Sequence, residues 1–304
     1  MKDLIIIGAG PAGLTAAVYA RRAGIAAVVF EGGMYGGQVG NTPRIDNYPS
    51  YQSVEGWELA QKMYKQAEAA GAEFVYDTVT GIRTDGAAIT VTAGESEYSA
   101  RAVIIANGSK RRRIGCAGEE RLSGRGVSWC ATCDGQLFKG REAAVVGGGN
   151  TAFEDALYLT ALCSKVYLMS RTPFTADREL ISAVRDKPNA VLMPGFYPEE
   201  IRGESSVTGI SAADKDGESV LLPVSAVFVA LGQTRDNAAF ASAVELDKNG
   251  YIVAGEDCAT SAAGIWAAGD TRTKTLRQIV TAVADGAVAA TAAASYINRI
   301  RKSK

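Results

Sequence analysis

Cys130 and Cys133, separated by two residues and followed directly by Asp134 in the run CATCDG, are the residues of this chain best suited to chemistry. Two thiols at that spacing either share a metal or close a small disulfide ring, and one of them, as thiolate, can attack another disulfide. Zinc needs four ligands. The other thiols, Cys116, Cys163 and Cys258, are single and distant, and the 304 residues include no histidine, so redox chemistry is preferred and no metal is expected. The missing imidazole also removes every Ser-His and Cys-His mechanism, leaving carboxylates, thiols or water to move protons. Asp134 is the nearest carboxylate, a candidate proton acceptor and donor, with a simple turn before Gly135 as the bland alternative.

Two glycine-rich runs offer a source of electrons. In the first, the apolar run Leu4 to Ile7 leads into Gly8, Gly10 and Gly13 with Pro11 between them, then a small-residue helix over Leu14 to Ala23 and a strand over Ile25 to Phe30. Glu31 stands 23 residues beyond Gly8. That is one complete βαβ dinucleotide unit: the glycines admit a pyrophosphate, the helix-start amides bind its charge, and the carboxylate takes a ribose hydroxyl. The second copy has a strand over Glu142 to Val146, the loop GGGNTA with Gly147, Gly149 and Ala152, a helix to Leu162 and a strand over Val166 to Met169. At the ribose offset it carries Ser170 and then Arg171, a pair that accepts a 2′-phosphate where a carboxylate would repel one. The second site therefore leans towards NADP(H), unless Arg171 is merely a solvated strand end.

A nicotinamide gives up two electrons as hydride and does not readily hand them to a disulfide; a flavin between the two can. Two nucleotide units and one dithiol thus suggest a relay from NAD(P)H through a flavin to Cys130 and Cys133, and outward.

Around these motifs, Gly56 to Ala70 has helical spacing, and Phe74 to Ala106 holds short alternating segments that read as a small accessory sheet. Asn107 to Glu120, with its cations Lys110 to Arg113, reads as a solvated crossing between domains. Strand signals return at Gly264 to Ala267, followed by a largely core helix from about Leu276 to Arg301. The first nucleotide domain is therefore expected to be discontinuous, with the second inserted into it. Charge is balanced, with 32 Lys+Arg against 33 Asp+Glu, which excludes a basic nucleic-acid surface; the short basic tail Arg299 to Lys304 reads as a frayed terminus. An odd count of five cysteines argues against a secreted disulfide framework and makes the cytoplasm the expected compartment. Met1-Lys2-Asp3 is too short a lead for a signal peptide, and no run of about 18 apolar residues predicts a membrane span.

These residues resemble those of the low-molecular-weight thioredoxin reductases, flavoproteins of the pyridine nucleotide-disulfide oxidoreductase class. The resemblance spans nearly the whole chain, through GAGPAGLTAA from Gly8, GGQ at Gly36 to Gln38, NYP at Asn47 to Pro49, CATCDG, GGGNTA, GIWAAGD ending at Asp270, and LRQ at Leu276 to Gln278. It implies an α/β fold of two Rossmann-like dinucleotide-binding domains, the second inserted into the first. Residues 1–114 and 247–304 would bind FAD through Gly8, Gly10, Gly13, Glu31, Gln38, Asn47, Asp270, Arg277 and Gln278. Residues 115–246 would carry the dithiol and bind NADPH through Gly147, Gly149, Asn150, Thr151, Ser170, Arg171 and Arg178. The resemblance further implies that Cys133 faces the flavin, that Cys130 attacks the partner with Asp134 assisting, and that the inserted domain rotates. It also implies a cytoplasmic homodimer that reduces thioredoxin or a thioredoxin-like protein.

Three departures bear on the electron donor and its setting. The family's HRRxxxR motif is here Ser170-Arg171-Thr172-Pro173-Phe174-Thr175-Ala176-Asp177-Arg178, so one expected arginine is threonine and the later one is displaced or missing. GHxPN reads GQTRDN at Gly232 to Asn237, and Asn107 and Cys116 replace the usual ATG and PGE settings, Cys116 reading as a small buried side chain. The alternatives are therefore a related flavoprotein fed by NADH or a ferredoxin, or a non-enzymatic redox sensor with a regulatory disulfide.

Overall fold

The computed structural model describes residues 1–85, 88–234 and 236–302. Gly86 and Ala87, Arg235 of the GQTRDN run, and Ser303 and Lys304 of the basic tail lie outside the described residues. The chain divides into two compact units, Met1–Lys110 with Arg235–Lys304, and Arg111–Thr234.

The first unit begins with β1 (Lys2–Ile7), α1 (Pro11–Arg22), β2 (Ala27–Phe30), α2 (Gly56–Ala69), β3 (Glu73–Val75), β4 (Val79–Asp85), β5 (Ala88–Ala93) and β6 (Ser96–Ile105). β1 is buried through Leu4 to Ile7 because it is flanked by parallel neighbours, β2 on one side and β6 on the other. The expected accessory sheet is not separate. β6 is long enough for its first half to pair antiparallel with β5 while its second half runs parallel to β1, so β4 and β5 extend one seven-stranded sheet.

The second unit contains β7 (Lys110–Arg111), which begins at the join, then β8 (Val127–Ser128), α3 (Ala131–Asp134), β9 (Glu142–Val146), α4 (Asn150–Thr160), β10 (Lys165–Ser170), α5 (Arg178–Arg185) and β11 (Ala190–Pro194). It continues with β12 (Tyr197–Arg202), β13 (Gly209–Ala213), β14 (Ser219–Leu222), β15 (Ala226–Val229) and β16 (Gln233–Thr234). Five parallel strands in the order β11-β10-β9-β15-β8 make its main sheet, with β8 at one edge. β12, β13 and β14 form an antiparallel meander, and β7 pairs with β16. The cations from Lys110 to Arg113 are thus not all in a solvated linker, for Lys110 and Arg111 lie in a strand and the Trp129 indole N–H donates to the Arg112 carbonyl at 3.1 Å.

β17 (Ile265–Ala267) then returns to the first sheet beside β6, and α6 (Ile279–Lys302) closes the chain. α6 is long and apolar enough by length and composition to cross a membrane, yet its Ala282, Ala289, Ala290, Ala293, Ala294 and Ile297 are buried in the core it shares with α1. Small residues allow that close approach: a Cβ on Gly286 would stand 2.2 Å from the Ala12 carbonyl oxygen. Phe240 and Val244 are buried with Ile82, Ile89 and Val103 in the first compact unit, whose second segment is Arg235–Lys304.

Candidate active site

The dithiol follows directly from the edge strand β8, with Trp129 as the one residue between Ser128 and Cys130. Cys130 and Cys133 are joined as a disulfide with their Cα atoms 5.3 Å apart. The Cys130 backbone is extended, and its Sγ accepts the Cys133 N–H at 3.2 Å and lies 3.4 Å from Thr132 Oγ1.

Asp134 is not a bare turn residue. The buried Ser128 hydroxyl donates to its carboxylate at 2.6 Å and accepts the Cys130 N–H at 3.0 Å, tying the carboxylate to the backbone of the first cysteine. Ser128 is a residue that motif reading misses, because its contact with Asp134 depends on the reversal from β8 into α3. Cys116 is half-buried and packs against the same core as Ile114 and Leu122, and burial pushes its thiol up to about 11. Cys163 and Cys258 are buried, and burial raises both thiols.

In the first unit the glycines are required by contact. A Cβ on Gly13 would stand 1.8 Å from the Gly8 carbonyl oxygen, and one on Gly8, whose φ is +103°, would stand 2.4 Å from the carbonyl oxygen of Ala106. Gly10 caps α1 with open space at its Cβ position. Glu31 closes the loop by accepting the Ala9 N–H at 2.8 Å and the Gly33 N–H at 3.0 Å. Gln38 donates to the Ser109 carbonyl at 3.0 Å, and Asn47 to the Gln278 side-chain oxygen at 3.0 Å. Asp270 sits in the turn Gly269–Thr271. Beneath that turn, buried Asp285 accepts the Gly269 N–H at 2.9 Å and pairs with Arg272 and Lys274, each at 2.8 Å.

Arg277 stacks on Tyr251 with its guanidinium carbon 3.9 Å from the ring centre. Among the described residues, its Nε is buried without a hydrogen-bond partner, and so is the Asn107 Oδ1. A donor and an acceptor held out of water in this way suit a polar ligand that would satisfy them. The first unit therefore fits a dinucleotide such as FAD.

In the second unit Gly147 has φ +157°, and a Cβ there would stand 2.4 Å from the Ala230 carbonyl oxygen, while Gly149 caps α4 and faces open space. Thr151 is exposed on the first turn of α4. Asn150 is engaged within the protein: its amide donates to the Asp177 carboxylate at 2.7 Å, and its side-chain oxygen accepts the Asp177 N–H at 2.9 Å. The Gly148 carbonyl accepts the N–H groups of Thr175 and Ala176 at 2.8 and 3.1 Å, so the segment after β10 folds back over the glycine loop. Ser170 is buried at the end of β10, its hydroxyl facing Gly148. Arg171 is exposed and lies 3.9 Å from the centre of the Tyr197 ring, while Arg178 is exposed at the start of α5. Sequence reading brings Ser170 and Arg171 to this loop but misses Tyr197, which arrives from a different sheet.

Residues 2–286 match the family model for pyridine nucleotide-disulphide oxidoreductase. The chain is 42% identical to a thioredoxin reductase of Listeria innocua over 304 residues, covering 99% of this chain and 95% of that protein. It is 40% identical to one from Bacillus subtilis, covering 99% and 96%. The crystal structure of thioredoxin reductase from Streptococcus pyogenes superposes with a TM-score of 0.94 at 38% identity, covering 98% of this chain and 99% of that one. The paired cysteines, the two glycine-loop units and these full-length similarities agree, and the chain belongs to the pyridine nucleotide-disulphide oxidoreductase family, among its thioredoxin reductases.

Proposed function

We propose that the protein is a flavin-dependent thioredoxin-disulfide reductase that takes two electrons from NADPH, passes them to the Cys130–Cys133 pair and delivers them to thioredoxin or a thioredoxin-like protein. The observation that carries this reading is the Cys130–Cys133 disulfide with Asp134 bridged to it through Ser128. The residues that would hold FAD are Gly8, Gly10, Gly13, Glu31, Gln38, Asn47, Asp270, Arg277 and Gln278; when bound there, the flavin supplies the conversion between hydride and dithiol electrons.

The chain's own part is thiol exchange. With the pair reduced, the Cys130 thiolate attacks a sulfur of the partner disulfide, forming a mixed disulfide and releasing one partner thiolate. Cys133 then attacks Cys130, the second partner thiolate leaves, and the Cys130–Cys133 disulfide is restored. Asp134 takes the proton from the attacking Cys133 thiol and returns it to a leaving partner sulfur, held in place by Ser128. In balance, NADPH, one proton and the partner disulfide become NADP⁺ and the partner dithiol.

On the strength of the family resemblance, the reading extends to a cytoplasmic homodimer. A second reading keeps the flavin and dithiol but takes electrons from NADH or a ferredoxin. It is favoured by Thr172 and Thr175 standing in the phosphate-binding segment and by the engagement of Asn150 with Asp177. Steady-state reduction of thioredoxin by each donor in turn separates the two. Turnover with NADPH supports the first reading, and turnover confined to another donor supports the second.

A further inference from the structure

Arg171 leaves the end of β10 and sits over the ring of Tyr197, the first residue of β12, with its guanidinium carbon 3.9 Å from the ring centre. β12 belongs to the antiparallel meander and not to the nucleotide-binding sheet, so the contact joins two separate sheets of the second unit. Tyr197 is itself fixed at its far end, where the hydroxyl donates to the Ile114 carbonyl at 3.1 Å and the ring packs against the core around Ile114 and Ile201. Burial raises the phenol above its ordinary value, against the opposing pull of Arg171, so it remains a neutral donor through the working pH range.

Stacking of this kind uses the face of the guanidinium. Its N–H donors point outward in the plane of the group and stay available for a bidentate bond to phosphate. Nearby polar residues do not duplicate that charge: Thr172 and Thr175 are neutral, and Asp177 is an anion held by Asn150. Residues 170–178 hold two cations, Arg171 and, at the start of α5, Arg178; of the two, Arg171 is the one set against the Tyr197 ring.

We propose that Tyr197 is a positioning residue for donor selection, holding the Arg171 guanidinium ready for the 2′-phosphate of NADPH, so that preference over NADH depends on this pre-oriented arginine. The inference rests on the reading that the second glycine unit takes a pyridine nucleotide. It concerns binding only and adds no chemical step.

The flavin-loaded full-length protein is titrated by calorimetry with adenosine 2′,5′-bisphosphate and with 5′-AMP, which differ in the 2′-phosphate. Tyr197→Leu is expected to weaken the bisphosphate roughly three- to fivefold, the loss of one exposed cation–π contact, while changing 5′-AMP less than about twofold. Tyr197→Phe, which keeps the ring, restores most of the affinity. In an Arg171→Gln background, Tyr197→Leu has no further effect. In turnover, Tyr197→Leu raises KM for NADPH with kcat and the NADH parameters nearly unchanged.

Equal losses for both nucleotides, no loss for either, or a persistent Tyr197→Leu effect without Arg171 overturns the positioning role. If the unaltered protein binds neither nucleotide, the assignment of the second unit falls and the proposal with it. If it binds both and Tyr197→Leu changes nothing, only the proposal falls.

Discussion

The Ser128 hydroxyl holds two partners at once, Asp134 at 2.6 Å and the Cys130 N–H at 3.0 Å. Ser128→Ala leaves the amide without that acceptor and the carboxylate free to turn, and is expected to slow protein-disulfide reduction about tenfold. Asp134→Asn removes the proposed proton carrier and is expected to cost at least 100-fold, about the lower range for general acid–base catalysis. Stopped-flow of the dithiol step checks both, and a Ser128→Ala rate equal to that of the unaltered protein would remove Ser128 from the account. Cys130→Ser is expected to leave flavin reduction intact while abolishing reduction of the partner, and Cys133→Ser to stop turnover while more strongly altering the flavin spectrum. Near-normal turnover with equal spectra in both variants would defeat the role assignment. At this scale the CxxC-Asp constellation was legible because its members adjoin in the chain. Ser128 and Tyr197 were not, since their contacts with Asp134 and Arg171 exist only after a strand reverses into a helix or one sheet meets another.

Among the elements, α6 and the turn after β17 carry an electrostatic core that no periodicity announces. Burial pushes the Asp285 carboxyl upward, but hydrogen bonds from Arg272, Lys274 and the Gly269 N–H outweigh it and hold the group below its ordinary value. A lowered carboxylate stabilises the fold above its unfolded pKa, and that contribution is lost as pH falls through the folded value. Asp285→Asn leaves buried Lys274 without its anion and buried Arg272 with only the exposed Glu256 at 3.9 Å, which is expected to cost about 3–5 kcal/mol and to loosen the Gly269–Asp270 turn. Chemical denaturation and flavin retention measure the two effects, and a variant with unchanged midpoint and retention refutes the role.

On α4, Asp155 shows the opposite sign. Burial, with Glu154 beside it, pushes its carboxyl up to about 7. The folded state therefore holds a proton that the unfolded chain has released, and stability falls as pH rises from about 4 towards 7. Asp155→Asn is expected to raise Tm at pH 8 and leave it unchanged below pH 4; equal shifts at both would contradict the assignment. Glycine loops and helix starts were legible because Gly8 and Gly13 admit no side chain where they stand. The accessory sheet was misread because β6 serves two neighbours in succession, and alternation in sequence does not show which strand lies alongside.

For the whole molecule, the order of motifs conveyed an interrupted first unit. Phe240 and Val244 follow the inserted unit in sequence yet pack beneath the first sheet, and local composition carries no mark of that destination. The donor question also belongs to this scale, because the two nucleotide units differ chiefly at Glu31 and at Ser170-Arg171. Thr172→Arg restores a second cation and is expected to improve NADPH over NADH by about tenfold, as one charge-assisted hydrogen bond does. An unchanged ratio would count against the phosphate site. The central claim is that pyridine-nucleotide electrons reach Cys130 and Cys133 by way of a bound flavin and leave to a protein disulfide. Its most direct test is an anaerobic titration of the flavin-loaded protein with NADPH, NADH and reduced ferredoxin in turn, followed by oxidised thioredoxin. The account predicts that stoichiometric NADPH bleaches the flavin band and that thioredoxin then gains a dithiol; a protein that stays colourless when supplied with flavin, or a yellow one that no donor bleaches, would contradict it.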